Sequence, residues 1–207
     1  LLFTTHLNET RAEIDLVASL FPGARDYLET YERCGLVGAR SVFAHDVHPT
    51  DDQLRRLAGA DAAIAHCPSS NAFLGSGLFP LRRHLEAGVR VGLGTDVGAG
   101  TGLSLLKEGL AAHDMQMLQG PDCVRLTPAH LLWLATGAGA AALGLSDEVG
   151  DLSAGKSADY VLVRPPAGST LETVLEGSRS LDAALGAVFT LAREDSITEV
   201  RVAGRIV

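Results

Sequence analysis

The chain has 207 residues, 46% of them hydrophobic, with 17 basic and 25 acidic side chains and a net charge of −8. That is enough apolar material for one domain that buries roughly 70% of its unfolded surface. With no basic run and aromatics at only 5%, the chain lacks the clustered cations of a nucleic-acid partner and the stacking platforms of a single-strand binder.

In chain order, the first segment is Leu1-Leu2-Phe3-Thr4-Thr5, an apolar, β-prone run without a Met. It reads as if cut inside a strand, so a fragment of a longer protein is expected. Thr10-x-x-Glu13 is a capping box, and Ile14, Val17, Ala18 and Phe21 then share one helix face. Pro22-Gly23 ends that helix, and a second is expected over Ala24 to Cys34. Ser41 to Ala44 is a second strand. Thr50-x-x-Gln53 opens a helix continued by Leu54, Leu57 and Ala58, and Ala62 to Ala65 is a third strand. A long polar loop is expected from Cys67 to Gly77, a helix from Leu78 to Ala87, and a fourth strand from Val89 to Leu93.

Gly98 to Gly102 is a glycine-rich loop, and Leu103, Leu106, Leu110 and Met117 mark the helix after it. Thr127-Pro128 places a cap and a first-turn proline at the head of another helix. The small residues from Gly137 to Ala142 suggest a tightly packed one. Four strand–helix units in succession predict a parallel α/β sheet with crossover helices. After about Gly150 the character changes: Tyr160 to Val163, Ala187 to Thr190, Glu199 to Val202 and Ile206-Val207 read as β. A small β-rich appendage is therefore expected over 150–207, following a (β/α) unit over 1–149.

Cys34, Cys67 and Cys123 form no C-x-x-C pair, which fits a reducing, cytoplasmic compartment. No apolar stretch approaches the ~20 residues of a membrane span.

Each predicted strand is followed at once by a metal-type or acid/base residue: His6, His45, His66 and Asp96 in turn. The carboxyl ends of strands in a (β/α) barrel open on one face, where such barrels place their active sites. Histidine and aspartate are zinc ligands, and a catalytic zinc lowers the pKa of water toward about 7. Glu9, three residues past His6, is placed to shuttle protons. Each residue also has a plainer reading. A lone His after a strand can be a packing residue, Glu9 can favour a helix N-terminus, and Asp96 can be a turn residue. His66 is the weakest of the four, because Cys67-Pro68 beside it suggests a structural turn. His48, His84, His113 and His130 are assigned no chemistry. A Cys67 nucleophile is disfavoured, the H-x-E and P-C-x-x-C of cytidine-type deaminases are missing, and Gly92 to Gly98 has the wrong spacing for a dinucleotide fingerprint.

Several strings resemble the amidohydrolase superfamily. THLNE (Thr5 to Glu9) resembles its T-H-x-x-E after the fifth barrel strand, and FAHD (Phe43 to Asp46) resembles the A-H-G of the sixth. AHCPSSNAFLGSGLF (Ala65 to Phe79) and GLGTDVGAGTGLS (Gly92 to Ser104) are similar to its seventh- and eighth-strand segments. GDLSAGKSADYVLV (Gly150 to Val163) resembles its returning β appendage. LFPGARDYLETYERCGLV (Leu20 to Val37) and the L-G-S-G string resemble the guanine-deaminating branch.

The resemblance implies the C-terminal half of a (β/α)8 TIM-type barrel, strands five to eight, with the small β appendage. It implies Zn2+ held by His6 and Asp96, and catalytic roles for Glu9, His45 and Asp96. His6, Glu9, His45 and Asp96 would all meet the substrate. The implied reaction converts guanine and water to xanthine and ammonia, with a homodimer as the complete protein. In that family an H-x-H zinc pair lies on the first strand, upstream of anything in this chain. Asp46 stands where the family usually has glycine. Two alternatives stay open: another amidohydrolase acting on an aminated or chlorinated heterocycle, and a non-catalytic fragment.

Overall fold

The computed structural model describes residues 2–207, so Leu1 of the first predicted strand lies outside the described residues. Strands β1 (Phe3–Leu7), β2 (Ser41–His45), β3 (Ala63–His66) and β4 (Arg90–Leu93) form one sheet in chain order. Every pairing is parallel, with His6 opposite Ala44, Ala44 opposite Ala65, and Ala65 opposite Gly92. The carboxyl ends of all four strands therefore lie on one level.

The helices between them begin where local chemistry dictates. Helix α1 (Arg11–Leu20) has Thr10 as its cap, accepting from the Glu13 amide. Helix α2 (Tyr27–Glu32) starts later than expected, because Asp26 takes the cap and accepts from the Glu29 amide. Helix α3 (Asp51–Gly59) carries the full Thr50–Gln53 capping box. Helix α4 (Pro68–Phe73) forms inside the segment expected to be a loop. Proline suits its first turn, and the Asn71 amide bonds the Cys67 carbonyl. Helix α5 (Leu81–Ala87) ends on Gly88 at φ +81°, a left-handed cap that glycine adopts without penalty.

One face of the sheet carries the main core. Leu7, Phe43, Ile64 and Val91 from the strands meet Leu54, Leu57, Leu81, Leu131 and Leu134 from helices. The other face is lined by small residues, Val42, Ala63 and Ala65, against Ala142. Helix α8 (Gly137–Ala142) comes so close there that a side chain on Gly92 would meet the Gly139 backbone at 3.1 Å. Helices α6 (Leu105–Met117) and α7 (Pro128–Ala135) complete this part.

The last part differs from its β-rich expectation. Strands β5 (Tyr160–Val163), β6 (Ile197–Val202) and β7 (Arg205–Ile206) form an antiparallel sheet. Two helices stand between β5 and β6: α9 (Thr170–Gly177) and α10 (Leu181–Leu191). The strand expected at Ala187–Thr190 is thus the end of α10. A short apolar run fits either period, and packing decides it. Ala187 and Phe189 are buried as α10 lies on α6, α7 and α9. The Phe189 ring occupies the space a side chain at Gly109 of α6 would need, at 2.6 Å.

Gln53 links the α3 cap to the strand ends. Its Oε1 accepts from the Thr50 amide at 2.9 Å and from Asn8 Nδ2 at 3.2 Å. Removing it strips a cap and leaves buried donors short of an acceptor. Gln53→Ala in the whole polypeptide is expected to cost roughly 1–3 kcal/mol in urea unfolding.

Candidate functional site

Strict alternation along a strand sends neighbouring side chains to opposite faces. His6 lies opposite Ala44, so it shares the small-residue face with Ala44 and Ala65. His45 is the next residue, and alternation would send it into the helix-side core with Leu7, its register partner. The backbone prevents this by turning left-handed at His45, φ +71°. The rings of His6 and His45 end 5.3 Å apart.

Three of the four strands leave the sheet in this way. Asn8 (φ +48°) follows β1, His45 and Asp46 (φ +71° and +44°) close β2, and Asp96 (φ +48°) follows β4. Potential ligand atoms of His6, His45 and Asp96 all lie within 4.8 Å of one another. His45 Nε2 is 3.7 Å from Glu9 Oε2 and 3.8 Å from Asp96 Oδ2. Glu9 precedes the Thr10 cap rather than starting the helix.

Among the four strand-end residues, His66 takes another course. It has no positive φ, keeps the alternation and points with Ile64 into the core. There it stacks on Phe79 at 4.3 Å, and Phe79 stacks on His84 at the same distance. Neither ring nitrogen of His66 has a hydrogen-bond partner among the described residues. Burial above all, then the nearby histidines His84 and His45, pushes its pKa down to about 3. It is a neutral core ring and no part of the cluster.

The segment after β3 serves the cluster by another route. Ser70 Oγ donates to Asp96 Oδ2 at 2.6 Å, and Ser76 Oγ donates to Glu9 Oε1 at 2.8 Å. Asn71 Oδ1 lies 2.8 Å from His45 Nδ1. Glu108 of α6, wholly buried, anchors the same segment by accepting from the Ser69 amide at 3.0 Å and hydroxyl at 2.6 Å. Sequence reading missed Ser70 and Asn71 because a six-residue helix is too short for a periodic signal, and Ser76 and Glu108 because their partners are far away in the chain.

Asp46 has a clear structural part. A left-handed φ suits glycine, and Asp tolerates it better than most residues. Its carboxylate accepts from Asn8 Nδ2 at 2.8 Å and lies 2.9 Å from His84 Nε2. His84 Nδ1 in turn lies 3.0 Å from the Pro80 carbonyl. All four strand-end partners, Asn8, Asp46, Gln53 and His84, are buried. Cys67 is no nucleophile, since burial first, with nearby acidic groups, pushes its thiol up to about 12.

Comparison with known proteins places these features. The model of the Amidohydrolase family matches residues 1–207. A protein of Deinococcus radiodurans named a probable guanine deaminase is 60% identical over 205 residues, 99% of this chain and 47% of the relative. The solved E. coli guanine deaminase superposes with a TM-score of 0.92 at 40% identity, covering 98% of this chain and 47% of that one. An adenosine deaminase from Xanthomonas campestris with bound zinc superposes at 0.81 and 30% identity, covering 98% and 44%. The chain spans about half the length of the curated relatives it matches.

His66 makes a pH prediction with a definite sign. Its pKa is lower folded than the 6.5 of the free side chain, so only the unfolded state takes its proton between pH 6.5 and about 3. Stability falls as pH falls through that window, by up to about 1.4 kcal/mol per unit from this group. Urea midpoints for the His66→Phe variant are expected to show a flatter decline from pH 6.5 to 4 than the parent. An unchanged slope would place the titration elsewhere.

Proposed function

We propose, for a chain that belongs to the amidohydrolase family, that its residues form the carboxyl-terminal part of a zinc-dependent guanine deaminase. The carrying observation is the convergence of His6, His45 and Asp96 within 4.8 Å, with Glu9 beside them. The names of the relatives supply the substrate. The family fold is of the TIM-barrel type, mixed α and β.

On this reading β1 to β4 are barrel strands five to eight, residues 1–149 are a partial barrel, and 150–207 are the returning appendage. Two features support it. Among the described residues nothing pairs with the outer edges of β1 and β4, an aggregation liability if left bare. Leu16 and Leu20 of α1 and its cap residue Phe21 are also uncovered, at 58%, 63% and 52% exposed. The other four strands, with an H-x-H pair on the first, would cover these surfaces and complete the ligand set.

The donor set suits zinc. Imidazole and carboxylate are usual zinc ligands, and beside them the buried His45 Nε2 has no hydrogen-bond partner among the described residues, which leaves it for water. His6 and Asp96 are assigned as ligands. Zinc, when bound, supplies Lewis-acid activation of water. The protein's own groups do the rest. Asp96, one oxygen held by Ser70, accepts the proton of the attacking water. His45 Nε2 faces that water and orients it. Glu9 keeps Oε1 on Ser76 and turns Oε2 to the site, where it protonates a ring nitrogen of guanine, regains a proton from the hydroxyl left by the added water, and helps pass the proton taken by Asp96 to the departing ammonia. Water's oxygen bonds to the carbon that bears the amino group, that carbon–nitrogen bond breaks, and xanthine and ammonia result. His6, Glu9, His45 and Asp96 would line the substrate's reacting edge.

The test is xanthine and ammonia release by the whole polypeptide, with zinc measured on the same sample. Turnover of guanine is expected. Turnover of adenosine or another aminated heterocycle, and none of guanine, would overturn the substrate. Asp96→Asn and Glu9→Gln are each expected to lose about 10²–10⁴-fold in kcat, with Glu9→Gln keeping its zinc. Equal loss of zinc and activity in Glu9→Gln would make Glu9 a ligand or a structural residue.

A further inference from the structure

His45 is the side chain on which the cluster closes, and its two nitrogens meet opposite surroundings. Its side chain is only 1% exposed, so water cannot settle which nitrogen carries the proton. Nε2 faces two carboxylates, Glu9 at 3.7 Å and Asp96 at 3.8 Å. Their charge favours a proton on Nε2, which would remove the lone pair that either metal binding or water orientation requires. Nδ1 faces a single group, the side-chain carbonyl of Asn71, at 2.8 Å.

A carbonyl oxygen can only accept, so the contact requires the hydrogen on Nδ1. A neutral imidazole has one such hydrogen, and Nε2 is then left as a lone pair aimed into the cluster. From this geometry we infer that Asn71 is a positioning residue, fixing His45 in the tautomer that presents its Nε2 lone pair to the site.

Asn71 is built to hold that orientation. It is 2% exposed on α4, its amide bonds the Cys67 carbonyl at 3.0 Å, and its own carbonyl accepts from the Ser76 amide at 2.9 Å. Its side-chain Nδ2 has no partner among the described residues. Partners of this kind, behind a ligand or a catalytic ring, are worth 10–100-fold in metal affinity or activity when removed. The tautomer stands on the hydrogen-bond geometry alone. Its consequence for turnover rests on the deaminase reading.

The experiment labels the histidines of the whole polypeptide with 15N and reads the His45 ring by long-range 1H–15N correlation. The wild type is expected to show a protonated Nδ1 and an unprotonated Nε2. Asn71→Asp keeps an acceptor and should keep that pattern. Asn71→Leu should shift the population toward the Nε2–H form. With guanine, Asn71→Leu is expected to lose 10–100-fold in kcat with KM changed less than threefold, and Asn71→Asp to recover most of the loss. A proton found on Nε2 in the wild type would overturn the inference, and this needs no variant to fold. Equal kcat losses in Asn71→Leu and Asn71→Asp would also overturn it. The expected ring spectrum with no guanine turnover by the wild type would leave Asn71 in its role and remove the substrate instead.

Discussion

The site depends on a conflict between strand geometry and convergence. Parallel strands in register bring four chain ends to one level, but their pleat sends alternate side chains to opposite faces. A residue at the end of β2 reaches the shared mouth only if the backbone leaves the extended region, and His45 does so at φ +71°. Asn8, Asp46 and Asp96 share the left-handed conformation. For non-glycine residues it costs about 1–3 kcal/mol each. The fold must hold that strain in place for the cluster to exist.

What holds it is buried polar bonding on the side away from the cluster. Asn8, Asp46, Gln53 and His84 join the ends of β1 and β2 to helices α3 and α5. The Asp46 amide also bonds the Leu7 carbonyl at 2.8 Å, and the His48 amide bonds the Asn8 carbonyl at 3.1 Å. The left-handed residues at the ends of β1 and β2 are thus fixed by both backbone and side-chain contacts. In a site where a misplacement of about 1 Å can cost 10²-fold, this connects stability to function. A residue with no contact to the substrate can still decide where His45 points.

The strand whose histidine stays out of the cluster contributes the support. β3 ends without a left-handed turn, and His66 goes into the core against Phe79. The segment after it folds back as α4, pinned by Glu108, and offers Ser70, Asn71 and Ser76 to three residues from other strands. Glu9 and His45 each keep one polar atom on this segment and turn another to the site, while Asp96 meets both Ser70 and His45 through Oδ2. Proton-transfer chemistry needs that division, since a group bonded on all sides cannot exchange a proton with a substrate.

The amino-acid sequence determined the order of strands and helices over residues 1–149 apart from α4, because hydrophobic period and capping residues are local signals and a helix of six residues carries too little of either. Thr10, Thr50 and Thr127 cap their helices as their positions foretold. His6, Glu9, His45 and Asp96 were legible because each follows a strand, and a common parallel direction brings such residues to one face. Ala187–Thr190 reads as β in sequence, since three apolar residues and a threonine carry no period of their own, and contact with α6 and α7 chose the helix. The sharpest division is between Ala44-His45 and Ala65-His66. The two dipeptides are identical in sequence and both end a strand, yet one histidine enters the cluster and the other enters the core. The tertiary structure alone decided this, because side-chain direction turned on one backbone dihedral held through the adjacent Asp46 by Asn8 and His84, both distant in the chain.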